Sequence, residues 1–195
     1  GSVTAGQQGA CLSDISVLSE FVCGFSDDGM GVQSDKLMLR ALDSVAEVNS
    51  LLKGSHYFVA SHAEDESLLP ENGVCVQADS PIAKQLDLAG YSNESEWEQV
   101  SRDISLVKET KCPLHICHAS CAEAYELVRV AKKKGLPVTC EATPHNLVFS
   151  CEDIPGDDGN FKMNPPLRGP QDVAAAIHAL ADGTIDAVAT DHAPH

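Results

Sequence analysis

At 195 residues the chain is long enough to bury a sizeable core in one domain, yet it falls short of the roughly 250 residues typical of a closed (β/α)8 barrel. Its 29 acidic and 13 basic residues give a formal charge of −16, which repels phosphate backbones and anionic membrane surfaces, so neither nucleic acid nor a membrane is expected as a partner. No apolar run approaches 18 residues, and no signal-peptide pattern is visible.

The first strand candidates are short apolar runs at Val3 and at residues 22–25, with a weak helix signal between Asp14 and Glu20. Ser34 caps a helix whose stripe is Leu37, Ala41, Val45, Val48 and Leu52. Residues 57–62 read as a strand and are followed, after a variable loop, by a helix marked by Trp97, Val100, Ile104 and Val107 with acidic residues in its first turn. Residues 113–118 form the next strand. Ser120 and Glu123 have the S-x-x-E spacing of a capping box, and the helix they open buries Leu127, Val128 and Ala131 before Gly135 ends it. A strand over 137–143 follows. Pro170, Val173, Ile177, Leu180 and Gly183 then define a last helix, and residues 184–189 form a terminal strand running into Thr190-Asp191-His192-Ala193-Pro194-His195. This alternation predicts a partial (β/α)8 TIM barrel, with about six of the eight parallel strands in one incomplete domain over 1–195.

Eight cysteines, at positions 11, 23, 75, 112, 117, 121, 140 and 151, show no paired framework, and several lie in apolar strand-like runs. They read as reduced, mostly buried thiols of a cytoplasmic protein. A structural zinc cluster of Cys112, Cys117, His118 and Cys121 is disfavoured, because no C-x2-C pair exists and Cys121 falls in the first turn of a helix.

Four apolar strands end in a metal-capable side chain: Asp27-Asp28, His62, His118 and Asp191. In a barrel these tips converge on one face, and two imidazoles with two carboxylates suit Zn2+. His115 alternates with His118 along its strand, so both cannot face the same interior; His118 is the candidate because it lies at the exit. Asp27 and Asp28 also fit a plain turn before Gly29. His56, His145 and His178 read as loop or surface groups.

The blocks GSVTAG, GFSDDG, VASHAED, HICHAS, GLPVTCEATPH, FKMNPPLR and DGTIDAVATDHAPH, in this order, resemble class I dihydroorotases of the amidohydrolase superfamily. The resemblance implies a hydrolase of pyrimidine biosynthesis that interconverts dihydroorotate and N-carbamoyl-aspartate. It implies two zinc ions bridged by Asp28, with His62 and His118 on the second ion. Asp191 corresponds to a ligand of the first ion and to the catalytic acid/base, and Asn164 and His195 correspond to substrate contacts. A homodimer, or association with aspartate transcarbamoylase, is the implied assembly.

The family's H-x-H pair, the arginine just after it and an early asparagine have no counterpart in these residues, and SHAED stands where AHCED is commoner. The chain therefore reads as an internal fragment, expected to be inactive by itself. Two rival readings follow. One is a hydantoinase or allantoinase, whose bridging ligand is a carboxylated lysine where this chain has Asp28. The other is a catalytically silent scaffold for aspartate transcarbamoylase.

Overall fold

The computed structural model describes residues 1–52 and 54–193. In chain order the helices longer than one 3-10 turn and the strands are α1 (Ile15–Leu18), β1 (Phe25–Ser26), α2 (Asp35–Leu51), β2 (Val59–Ser61), β3 (Val74–Gln77), α3 (Pro81–Gln85), β4 (Gly90–Tyr91), α4 (Glu94–Thr110), β5 (Leu114–Ile116), α5 (Ala122–Lys133), β6 (Val138–Ala142), α6 (Pro144–Val148), α7 (Pro170–Ala181) and β7 (Ala187–Val188). Five strands form one sheet in the order β1-β2-β5-β6-β7, every pair parallel. Strands that neighbour one another in this sheet also follow one another in the chain, apart from the separate β3-β4 ribbon inserted between β2 and β5. That is the winding of a partial (β/α)8 barrel rather than of a doubly wound sheet.

The crossover helices lie side by side, α2 against α4, α4 against α5 and α5 against α7. Leu114 and Ile116 of β5 and Cys140 and Ala142 of β6 are fully buried in the same core as the helix stripes, whereas the alternate residues His115, Thr139 and Glu141 keep some exposure on the other face. The two-residue period of a strand produces this division. Full burial of each Leu, Ile or Val stabilises the fold by about 1.5–3 kcal/mol, so the layer between sheet and helices supplies most of the stability. Among the described residues no helix is long and apolar enough to cross a membrane.

Three expectations are corrected in detail. The Val3 segment forms no ladder; it lies beside β1, where Gly1 O accepts the Ser26 N–H at 2.8 Å and Val3 is buried. Leu52 is exposed, because α2 ends at Leu51 and the stripe closes at Val48. Ser120 does not cap α5, whose cap position is Cys121. Instead the Ser120 and Cys121 N–H groups donate to Glu96 Oε1 at 2.8 and 3.2 Å, and the Ala122 N–H donates to Asp172 Oδ1 at 2.9 Å. Two carboxylates from α4 and α7 thus take the helix start, since an ionised acceptor holds these amides more strongly than a hydroxyl does. The Ser120 hydroxyl is turned toward Glu96 as well.

Candidate metal centre

Three adjacent strands deliver three ligands to one point. Asp28 lies two residues beyond β1, His62 directly follows β2, and His118 lies two residues beyond β5. His62 Nδ1 and His118 Nε2 stand 3.0 Å apart, His118 Nε2 and Asp28 Oδ1 3.4 Å, and His62 Nδ1 and Asp28 Oδ1 3.8 Å. Donors of a tetrahedral zinc with bonds of 2.0–2.1 Å are about 3.3 Å apart, so this triangle has the size that a divalent ion requires. Both imidazoles are buried and Asp28 is open to solvent. The outer nitrogens, His62 Nε2 and His118 Nδ1, are buried without a hydrogen-bond partner. Asp28, His62 and His118 form a metal-binding triad.

Backbone geometry aims these groups. His118 has φ +35°, a left-handed conformation unusual for a side-chain-bearing residue. Glu141 of β6 holds this turn: its carboxylate Oε1 lies 3.4 Å from the His118 N–H, and its carbonyl accepts the Ala119 N–H at 2.9 Å. Asp27 is a structural neighbour of the site. It is buried, and its carboxylate accepts the Val3 N–H at 2.8 Å and the Thr4 N–H at 3.0 Å.

Asp191 follows β7, is exposed and has φ +51°. Its charge is felt at His118, Cys117 and His145, so it borders the same face of the sheet. Asn164 lies farther out: its Nδ2 donates to Glu64 Oε2 at 3.3 Å, and that oxygen is 3.9 Å from His62 Nε2. His195 lies outside the described residues. His115 does not join the triad. Its ring nitrogens meet Thr139 Oγ1 at 2.8 Å and Glu141 Oε2 at 3.1 Å on the inner face of β5 and β6, where Cys117 completes a second group of ligand-type side chains. His56 and His178 are surface groups.

His145 is more than a surface group. Thr143 caps α6 and Pro144 opens it, which puts His145 in a first turn where burial lowers its pKa and the charges of Asp191 and His118 act on it. Glu64, Glu96 and Arg168 also carry site geometry without having been singled out by sequence. Glu64 sits two residues after His62 inside a block read only for its histidine. Arg168 ends the FKMNPPLR block and is buried. Its guanidinium donates to Ser120 Oγ at 2.9 Å, Gln77 Oε1 at 3.0 Å and Glu96 Oε2 at 3.1 Å, which ties the Asn164 segment to the His118 turn.

Electrostatics sets the protonation states. Asp28 is held below its ordinary 3.8, first by the His118 hydrogen bond. Burial opposes charge on His118, but the Asp28 hydrogen bond and the charges of Asp191 and Asp28 outweigh it and leave its pKa above 6.5. Burial would likewise raise Glu64, yet His62 and Asn164 bring it below 4.5. The Cys117 thiol is pushed up to about 12 by burial and then by Glu141, Asp28 and Asp191, so it remains protonated at neutral pH. All eight cysteines are free thiols.

These shifts fix a pH dependence. A metal must displace the His118 proton, whereas Asp28 is already ionised above pH 4. Affinity for Zn2+ used as a probe is therefore expected to fall about tenfold per pH unit below the raised His118 pKa, with one proton released per ion. Without metal the sign reverses. The His118–Asp28 pair contributes stability that is fully present between pH 3.8 and 6.5, is lost as pH rises through the higher folded value of His118, and is lost at the acid end as pH falls through the depressed value of Asp28. Calorimetric titrations in buffers of different ionisation enthalpy measure the proton count, and a pH-independent affinity would refute the assignment.

Residues 1–124 match the family model described as Dihydro-orotase-like. The chain belongs to that family. Among curated dihydro-orotase-like relatives, a dihydroorotase from Geobacillus thermodenitrificans is 43% identical over 195 residues, covering all of this chain and 43% of the relative. One from Bacillus caldolyticus is 42% identical with the same coverage, and one from Enterococcus faecalis is 46% identical over 171 residues, 88% of this chain and 38% of the relative. The chain thus spans less than half the length of these relatives. A solved D-hydantoinase from a Bacillus species superposes with TM-score 0.75 at 22% identity, over 95% of this chain and 42% of that one. A dihydropyrimidinase from Brevibacillus agri gives 0.72 at 23%, over 93% and 40%. At these identities the structural likeness establishes the fold.

Proposed function

We propose that this chain is part of a zinc-dependent dihydroorotase, in which one domain over 1–195 supplies most of the metal centre. The carrying observation is the 3.0–3.8 Å triangle of Asp28, His62 and His118 at three adjacent strand ends. The dihydroorotase reading is favoured over a hydantoinase by the relatives of that name at 42–43% identity across the whole chain, and by a carboxylate, Asp28, where hydantoinases carry a modified lysine.

Asp28, His62 and His118 would hold an ion, and the second ion of the proposed pair would share Asp28 and take Asp191. Bound zinc supplies Lewis acidity and lowers the pKa of water toward about 7. The remaining chemistry falls to side chains. Asp191 accepts a proton as water adds to the ring amide carbonyl, and returns it to the ring nitrogen as the C–N bond breaks, because an unprotonated amide nitrogen leaves poorly. The net change is addition of one water to dihydroorotate. Asn164 Oδ1, buried and unpartnered, is available to accept the ring N–H, and His195 would bind the exocyclic carboxylate.

The test is a chimera in which these 195 residues replace the matched stretch of the Geobacillus thermodenitrificans relative. Hydrolysis of dihydroorotate well above that of hydantoin is the expected result. Preference for hydantoin would favour the rival reading. A folded, zinc-loaded chimera inert to both would support the scaffold. Asn164→Ala in the same chimera should depress kcat/KM and leave metal content unchanged.

A further inference from the structure

Glu64 occupies a position that no strand-end pattern points to. One of its oxygens, Oε2, lies 3.3 Å from Asn164 Nδ2 and 3.9 Å from His62 Nε2. Its backbone is anchored independently, because Gln33 Nε2 donates to the Glu64 carbonyl at 2.9 Å. Two buried atoms beside it have no partner, His62 Nε2 and Asn164 Oδ1.

We propose that Glu64 is a positioning residue that fixes the His62 proton on Nε2 and turns the Asn164 amide so that its oxygen faces the ligand. When His62 Nδ1 gives its lone pair to a metal, the ring proton can reside only on Nε2, and Glu64 is the carboxylate beside that atom. The present separation exceeds a hydrogen bond by about 1 Å, a distance that a small rotation of either side chain closes. At Asn164 the logic is one of donors and acceptors. A carboxylate only accepts, so the amide NH2 must face Glu64 and the oxygen must face away. The group left open to a ligand is then an acceptor, which selects molecules presenting an N–H, as a cyclic amide does. The second half rests on the reading of Asn164 as a substrate contact; the first half does not.

The experiment uses the 195-residue chain with Zn2+ alone. Long-range 1H–15N correlation spectra of the zinc-loaded chain should show His62 as the Nε2–H tautomer. Glu64→Ala should lose the slow exchange of that proton and weaken zinc binding 10- to 100-fold. Glu64→Gln should recover most of the affinity, because its amide oxygen can still accept from the His62 Nε2–H and from the Asn164 amide. A proton on His62 Nδ1 in the zinc-loaded chain, or unaltered zinc affinity in Glu64→Ala, overturns the His62 half. For Asn164, the zinc-loaded chain is titrated with hydantoin and with 1,3-dimethylhydantoin. A preference of tenfold or more for hydantoin that shrinks in Glu64→Ala is expected. Equal binding of both, or no binding of hydantoin, overturns the Asn164 half. Neither arm depends on turnover of dihydroorotate, so failure of the proposed activity remains distinguishable.

Discussion

In the chimeric enzyme, Asp191→Asn is expected to lower turnover of dihydroorotate about 10²-fold or more, the scale on which a positioned general acid/base contributes. Asparagine keeps the shape and one oxygen but removes the basic group. Asp191 can play this part because β7 delivers it to the sheet edge, where its charge acts on His118. Its exposure leaves the carboxylate open to solvent. Kinetics must be paired with zinc analysis, since loss of metal would mimic loss of proton transfer. Full metal content with near-normal turnover would move the role elsewhere, and His145 would be the group to replace next. Its burial favours the neutral, basic imidazole, and it lies within reach of the charges of both Asp191 and His118.

Glu96→Ala should be the most damaging stability change, costing about 3–5 kcal/mol, because it leaves the Arg168 guanidinium buried without a counter-ion. Both residues are only 3% exposed. Without Glu96, Arg168 faces only the neutral oxygens of Ser120, Gln77 and Tyr91, and two amides at the start of α5 lose their acceptor. Urea unfolding of the 195-residue chain measures the cost, and a loss below about 1 kcal/mol would mean that water reaches the pair. Replacing Glu96 by Leu and Arg168 by Met together should recover much of the stability, since removing a whole buried ion pair is far cheaper than removing half of it.

The long elements were legible because each shows one periodicity. The stripes of α2 and α4 repeat every three or four residues, and β5 and β6 alternate core-facing Leu114, Ile116, Cys140 and Ala142 with polar neighbours. The α7 face read from Val173, Ile177 and Leu180 is corrected: Ile177 and Leu180 are exposed, and small Ala176 and Ala179 pack inward instead. The β3-β4 ribbon was missed because its strands are short, half-buried throughout and joined with an irregular register, so no face repeats. At the site, Asp28, His62 and His118 could be found from their places at strand exits. Glu64 and His145 could not, because their proximity depends on the path of loops and on a helix cap. The S-x-x-E signal at Ser120 misled for a related reason. Local spacing cannot reveal acceptors that arrive from 24 and 50 residues away.

That borrowed cap has a kinetic consequence. As an isolated segment, α5 has no side chain of its own at the cap position to hold its first amides, and twelve residues are too few for a stable helix in water. Its first turn becomes secure only when Glu96 of α4 and Asp172 of α7 have docked. Formation of that turn is thus a non-local event that follows assembly of three helices. In a transition-state survey, substitutions at Val128 and Ala131 should report early packing, whereas Asp172→Asn should mainly speed unfolding. The His118 turn lies directly before α5, so the metal-binding loop takes its final shape among the last parts of the chain to do so.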